Sequence, residues 1–288
     1  MNAPGRTLVV RRGGLGDTLL MAPVLRALAR ASPGAAIDFA GVREFAAVLA
    51  HWRLCARARS SEDFAVRRAG GDGRHASLAE YDCVLADDPA FAAVAGPECR
   101  VMCFEPRPRP GSRQPLPLQI AAQLGAAVDW PRDAWMGSAR CNPDGPVVLA
   151  PGSGGRTKCW PRAQWLELAG ALAAYGAPVG IVVGPTELER DDPRRWPWPV
   201  AASFVCTPDV VDLATTIGRA RAFVGNDSGP THLAAMAGVP TVALFGSSDP
   251  EVFGPNGPQV EIVLAPERRL EALPVAAVVA AMHRVDVP

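Results

Sequence analysis

Apolar positions along this chain come in short blocks, each followed by a longer stretch of different periodicity. The first block, TLVVRR (7–12), leads through the loop GGLGD into a stretch over 18–31. There Leu19, Leu20, Val24 and Leu28 recur at helical spacing. AIDFA (36–40), YDCVLAD (81–87) and CRVMCF (99–104) read as further short buried strands, and LQIAAQLGA (118–126) as a helix ending at Gly125. From 128 to 145 the periodicity disappears while Pro, Asp and Arg accumulate, as expected of a linker between domains. A second series then begins. Strands are expected at 146–150, 178–184, 222–225, 241–246 and near 259–264. Helices are expected at 161–176, 207–220 (capped by Thr207, with Pro208 in the first turn), after Gly229, and at roughly 271–284.

Strand and helix alternating twice over indicate an α/β protein of two Rossmann-like domains with mainly parallel sheets. In such sheets ligands collect at the carboxyl ends of the strands. The glycine-rich or acidic loops 12–17, 151–158, 184–190, 225–229 and 246–250 all fall at such ends.

Bulk properties narrow the classes. The chain has 288 residues, enough for two ordinary domains, and no net charge, which gives nucleic-acid binding no support. No apolar run reaches the ~20 residues that cross a bilayer. Arg11, Arg12 and Asp17 interrupt the first apolar block, so no secretory signal is expected and the reading is cytoplasmic. The seven cysteines include no Cys-x-x-Cys pair and read as reduced, buried thiols. A metal shared by Cys99 and Cys103 would require both on one helix turn. Among 28 arginines there is a single lysine, Lys158.

That lysine lies in APGSGGRTKCWP (150–161), a glycine-rich loop that leaves one strand and enters a helix. It is not a Walker A loop, but it sets an ammonium beside exposed backbone amides, a pairing suited to a diphosphate. A second loop, FVGNDSGPTHLAAMAGVP (223–240), starts a helix abruptly, with Asp227 or Ser228 as the cap, Gly229 at its tip and His232 in its first turn. The amides at a helix start carry about half a positive charge and favour anions. A third loop, RRGGLGDTLL (11–20), lacks dinucleotide-binding spacing and brings Asp17 to the first helix, as a cap, as a reacting carboxylate, or as both. No Asp-x-Asp pair occurs to hold a divalent metal, so no metal and no cofactor is expected.

GGLGDTLLMAPVLRALA, PGSGGRTKCWP, GPTELE, VGNDSGPTHLAAMAGVPTVALFG and GSSDPEVFGP together resemble glycosyltransferase family nine, the ADP-heptose:lipopolysaccharide heptosyltransferases. The resemblance covers both ends of the chain. It implies a GT-B architecture: an acceptor-binding domain over 1–127 and a nucleotide-sugar-binding domain over 146–270 facing a cleft, with a terminal helix (271–288) packing back on the N-terminal domain. It also implies an inverting transferase with a nucleotide-sugar donor, a glycan or glycolipid acceptor, and peripheral contact with the inner membrane as an open option. Carried over position by position, Asp17 resembles the general base. Ser153, Gly154 and Lys158 resemble the donor-phosphate loop, with Lys158 also acting in catalysis. Glu187 resembles the nucleoside-binding acid, and Asp227, Ser228, Gly229 and His232 the pyrophosphate-binding helix start. Gly14 is assigned to the acceptor. From the residues alone, Arg107, Arg109 and Arg113, with the arginines at 53–74, read either as binders of a phosphorylated or carboxylated acceptor or as a solvated arginine-rich face. Gly154 stands where the family commonly has a second hydroxyl residue. The competing readings are a transferase of the same fold using another nucleotide sugar, and a non-catalytic sugar-nucleotide-binding module.

Overall fold

A computed structural model describes residues 5–64, 76–132, 136 and 142–285. The arginines at 67, 68 and 74, together with His75 and Cys141, lie outside the described residues. The chain divides into two units between Asp133 and Ala134, inside the stretch read as a linker.

The first unit holds one parallel sheet of β1 (Arg6–Val10), β2 (Ala36–Gly41), β3 (Arg57–Ser60), β4 (Cys83–Ala86) and β5 (Arg100–Cys103), in the order β3-β2-β1-β4-β5. The second holds β6 (Val147–Ala150), β7 (Val179–Val182), β8 (Ala202–Val205), β9 (Ala222–Asn226), β10 (Thr241–Phe245) and β11 (Val260–Leu264), in the order β11-β10-β9-β6-β7-β8, again all parallel. The central strands are covered on both faces, and for that reason they read as unbroken apolar runs in the sequence. In each sheet the strand order reverses beside the first strand of the unit: between β1 and β4, and between β6 and β9. At such a reversal the two following loops run to opposite faces and leave a crevice at the carboxyl edge, where α/β proteins bind ligands.

Several elements differ from expectation for local reasons. The helix expected over 18–31 is two helices, Leu15–Leu19 and Ala22–Ala31. Pro23 sits in the first turn of the second and cannot continue an earlier one. The helix expected from Thr207 begins at Val210, capped by the Asp209 carboxylate, which accepts from the amides of Val211 and Asp212. The expected loop 184–190 contains a short helix, Pro185–Arg190. Cys99 precedes β5 and Cys103 ends it, so the pair does not share a helix turn. Burial pushes the Cys55 thiol up to about 12, which makes it a neutral core group. The terminal helix is Val275–Arg284 and lies in the second unit. Its Val275, Val278, Ala281 and Met282 join the core made by β6, β7, β9 and β10.

The arginine-dense region of the first unit is partly structural. Asp38, fully buried on β2, stands in register with Arg57 on β3 and takes its Nε and Nη2 at 2.9 and 2.5 Å and the Tyr81 hydroxyl at 2.8 Å. Glu80 accepts from Arg57, Arg6 and Arg59 at 2.7, 2.8 and 3.2 Å. These bonds, Arg57's first, hold the Glu80 carboxyl down to about 2. A carboxylate held this low stabilises the fold fully above the unfolded value near 4.5, and the contribution is lost as pH falls from there towards 2. Glu80→Gln is therefore expected to lower the urea midpoint at pH 7, and the gap from wild type should narrow as pH falls from about 4.5. A gap unchanged at pH 3 would refute the assignment.

Candidate active site

In the second unit the crevice between β6 and β9 is built from two loops that meet through the side chains of one acidic segment. Asn226, the last residue of β9, is fully buried. Its Nδ2 donates to the carbonyl of Pro151 at 2.8 Å, and its Oδ1 accepts from the amide of Trp160 at 3.0 Å. One side chain thus clamps both ends of the 151–160 loop to the end of β9. The Ser153 hydroxyl donates to the Asp227 carbonyl at 2.9 Å. The Lys158 ammonium lies 2.6 Å from Asp227 Oδ2, which also accepts from the Ser248 hydroxyl at 2.5 Å. Asp227 is almost fully buried, whereas Lys158 keeps 38% of its side chain exposed, so the ammonium reaches out from a fixed carboxylate.

The helix Gly229–Ala237 starts here with Pro230 in its first turn and ends at Gly238 in the left-handed conformation. Ser228 is the N-cap, but its side chain makes no cap bond to the helix amides. Among the described residues, the amides of Ser228 and Gly229 donate to no protein acceptor. The start is locked from below, where the Thr231 hydroxyl donates to the Asn226 carbonyl at 2.6 Å. His232 is buried in the first turn.

From the neighbouring β7 loop, Arg190 donates to the carbonyls of Ser153 and Gly154 at 3.2 and 3.0 Å and so braces the glycine-rich loop. Glu187 Oε2 accepts from the amide of Gly184, the cap of its own helix, at 2.7 Å. Glu187 Oε1 packs so tightly on Gly152 that a Cβ there would lie 1.7 Å away. A pocket of about 270 Å³ lies beside these groups, lined by Gly152, Ser153, Glu187 and Arg190 together with Arg162 and Trp196.

In the first unit the crevice between β1 and β4 holds a separate cluster. Gly14 is the N-cap of the helix Leu15–Leu19, and Asp17, in its first turn, accepts from the Gly14 amide at 2.9 Å through Oδ2. Asp17 is thus the acidic partner of the cap rather than the cap itself. Its Oδ1 accepts from Arg11 Nη2 at 2.7 Å. Gly13 has φ +148°, and a Cβ there would stand 2.6 Å from Asp17 Oδ2, so only glycine leaves that carboxylate its place. Arg107 lines an open recess with Arg12, Gly13, Asp87, Glu105 and Pro106. Arg109 donates its backbone amide to Gln119, and Arg113 lies on the same proline-rich segment. Gly14 serves as the cap just described.

The structure therefore brings Ser153, Lys158, Asp227, Ser228 and Gly229 together, with Gly154 and Glu187 on the adjoining loops. It gathers Asp17, Gly14 and Arg107 around the first-unit crevice. Residue-level reading missed Asn226, Thr231, Arg190, Ser248, Arg11 and Asp87. Asn226 carried a signal, a polar side chain ending an apolar strand. Thr231 bonds within its own helix start, while the others depend on partners distant in sequence. Among the described residues no group of three or more His, Cys, Asp or Glu is placed to hold a metal ion, and no helix is long and apolar enough to cross a membrane.

Comparison with known proteins decides the family. The model of glycosyltransferase family 9 (heptosyltransferase) matches residues 121–274, more than half of the chain. The chain belongs to glycosyltransferase family 9. Lipopolysaccharide heptosyltransferase 1 of Pseudomonas aeruginosa is 28% identical over 88% of this chain and 81% of that protein. Two solved structures share the fold at lower identity. E. coli heptosyltransferase WaaC with ADP has a TM-score of 0.72 at 21% identity, over 97% of this chain and 99% of that one. The iron-containing dodecameric glycosyltransferase TibC of enterotoxigenic E. coli has a TM-score of 0.62 at 15% identity, over 99% of this chain and 77% of that one. The architecture is GT-B, and the protein is a glycosyltransferase of the heptosyltransferase type.

Proposed function

We propose that this family 9 enzyme transfers heptose from ADP-heptose to a lipopolysaccharide-core-like glycan, by inverting single displacement and without a metal on the diphosphate. The observation that carries the reading is the crevice of the second unit, where the Lys158 ammonium, the Ser153 hydroxyl and the unengaged amides of Ser228 and Gly229 converge at one helix start. The choice of ADP is supported by WaaC, a relative of the same fold solved with ADP.

In the proposed step an acceptor hydroxyl oxygen bonds to the anomeric carbon while the bond from that carbon to the β-phosphate oxygen breaks. The proton passes to the Asp17 carboxylate, and ADP leaves carrying the electron pair. Charge grows on the β-phosphate as that bond breaks. Donors already aimed there stabilise the transition state more than the ground state, and each is worth roughly 3 kcal/mol in a preorganised site. A compact ammonium with a helix start supplies the positive charge that Mg²⁺ gives elsewhere. Asp227, itself anionic, is read as the holder of Lys158 and Ser248 rather than as a direct ligand of phosphate.

The test is a donor panel. ADP-heptose should raise the melting temperature more than GDP-, UDP- or dTDP-sugars, because ligand binding to the native state stabilises by mass action. It should also support transfer to heptose-deficient lipopolysaccharide core in the presence of EDTA. A larger shift with another nucleotide would move the reading to that donor. Binding without transfer to any core would support the non-catalytic alternative, and activity lost to EDTA and restored by Mg²⁺ would remove the metal-free step.

A further inference from the structure

The geometry points to Arg11 as a positioning residue for Asp17, with Asp87 as its anchor. The inference rests on the reading of Asp17 as the base and adds to it the device that fixes the carboxylate's plane. Asp17 has 41% of its side chain exposed and, left to itself, would sample several rotamers. Here each oxygen has a different donor: Oδ2 takes the Gly14 amide at 2.9 Å and Oδ1 takes Arg11 Nη2 at 2.7 Å. Two bonds to two oxygens define the orientation of the group and leave its remaining lone pairs facing outward.

Arg11 is itself held. Its side chain is only 11% exposed, an unusual state for a cation, and Nη1 bonds to the carbonyl of Arg12 and lies 3.4 Å from Asp87 Oδ2. The Asp87 side chain, 3% exposed, accepts the Arg12 amide at 2.9 Å. Asp87 follows β4 and Arg11 follows β1, so the strand reversal of the first sheet brings them together. The planar fork of arginine spans both carboxylates at once, which a single ammonium cannot do with the same geometry. A salt bridge serving only to join the two loops would need Asp87 alone. The second arm on Asp17 is what the inference explains.

Arg11→Lys, Arg11→Met and Asp87→Asn would be compared with wild type for kcat, acceptor KM and the Kd of ADP. Arg11→Met is expected to lower kcat by about ten- to 100-fold, because a misplaced reacting group costs rate steeply, while the ADP Kd stays within about twofold. Arg11→Lys should recover part of the loss, and Asp87→Asn should show a smaller fall of the same kind. Wild-type kcat in folded Arg11 variants overturns the inference, as does an equal loss of kcat and ADP affinity. Should Arg11→Met fail to melt cooperatively, Arg11→Lys and Asp87→Asn decide, and unchanged kcat in both overturns it. Retained turnover in Asp17→Asn would instead refute the base itself; loss there with none in the Arg11 variants would refute only the positioning.

Discussion

Asp17→Asn is expected to lower kcat by about 10²–10⁴-fold, the usual worth of general-base assistance, and to leave ADP affinity as it is. The argument is local. Asparagine matches the aspartate in shape, and its amide oxygen can still accept from the Gly14 amide, so the start of the helix Leu15–Leu19 survives. What disappears is the capacity to take a proton, together with the bond from Arg11 Nη2, because the amide nitrogen on that side donates as the guanidinium does. The nucleotide-binding loops of the proposed mechanism belong to the other unit and contain none of the altered atoms. Steady-state transfer kinetics beside a calorimetric ADP titration make the measurement. Near-wild-type turnover would reduce Asp17 to a capping residue.

Lys158→Ala is expected to act on both quantities: about 10²–10³-fold in kcat/KM, the typical cost of removing one preorganised transition-state donor, together with weaker ADP binding. The loss has two sources. The ammonium no longer meets the developing charge, and the Asp227 carboxylate, formerly paired at 2.6 Å, is left with only Ser248 in the crevice proposed to take the diphosphate. Lys158→Ala/Asp227→Asn should therefore bind ADP more tightly than Lys158→Ala alone, since it removes the exposed repulsion. If the double variant binds no better, Asp227 does not act through Lys158.

The parts of the fold most legible in the sequence include the central strands, whose burial is two-sided. TLVVRR, PVVLA and TVALFG announce β1, β6 and β10 because parallel central strands have no polar face. The missed strands, β3 (RARS) and β8 (ASFV), lie at sheet edges, and their positions are intermediate or exposed throughout. The helix Arg43–His51 was also missed. The site shows the same division. Glycines, the lone lysine and the abrupt helix start mark the crevice loops, because backbone approach and helix initiation are local chemistry. The Lys158–Asp227 and Arg11–Asp87 contacts span 69 and 76 residues and exist only because β6 adjoins β9 and β1 adjoins β4. No periodicity encodes such a neighbourhood. Arg57 and Arg59 belong to the same class, since their bonds to Asp38 and Glu80 join strands and loops that no local pattern brings together.

The contact between Gly152 and Glu187 links two stretches that an engineer would wish to vary separately. With Glu187 Oε1 filling the volume that any side chain at 152 would need, an alanine at 152 requires either a shorter residue at 187 or a Glu187 that swings away and gives up its bond to Gly184. The two positions are thus a lock and its key: enlarging position 152 forces a matched response at 187, and a library that randomises 152 alone will sample mostly misfitted loops.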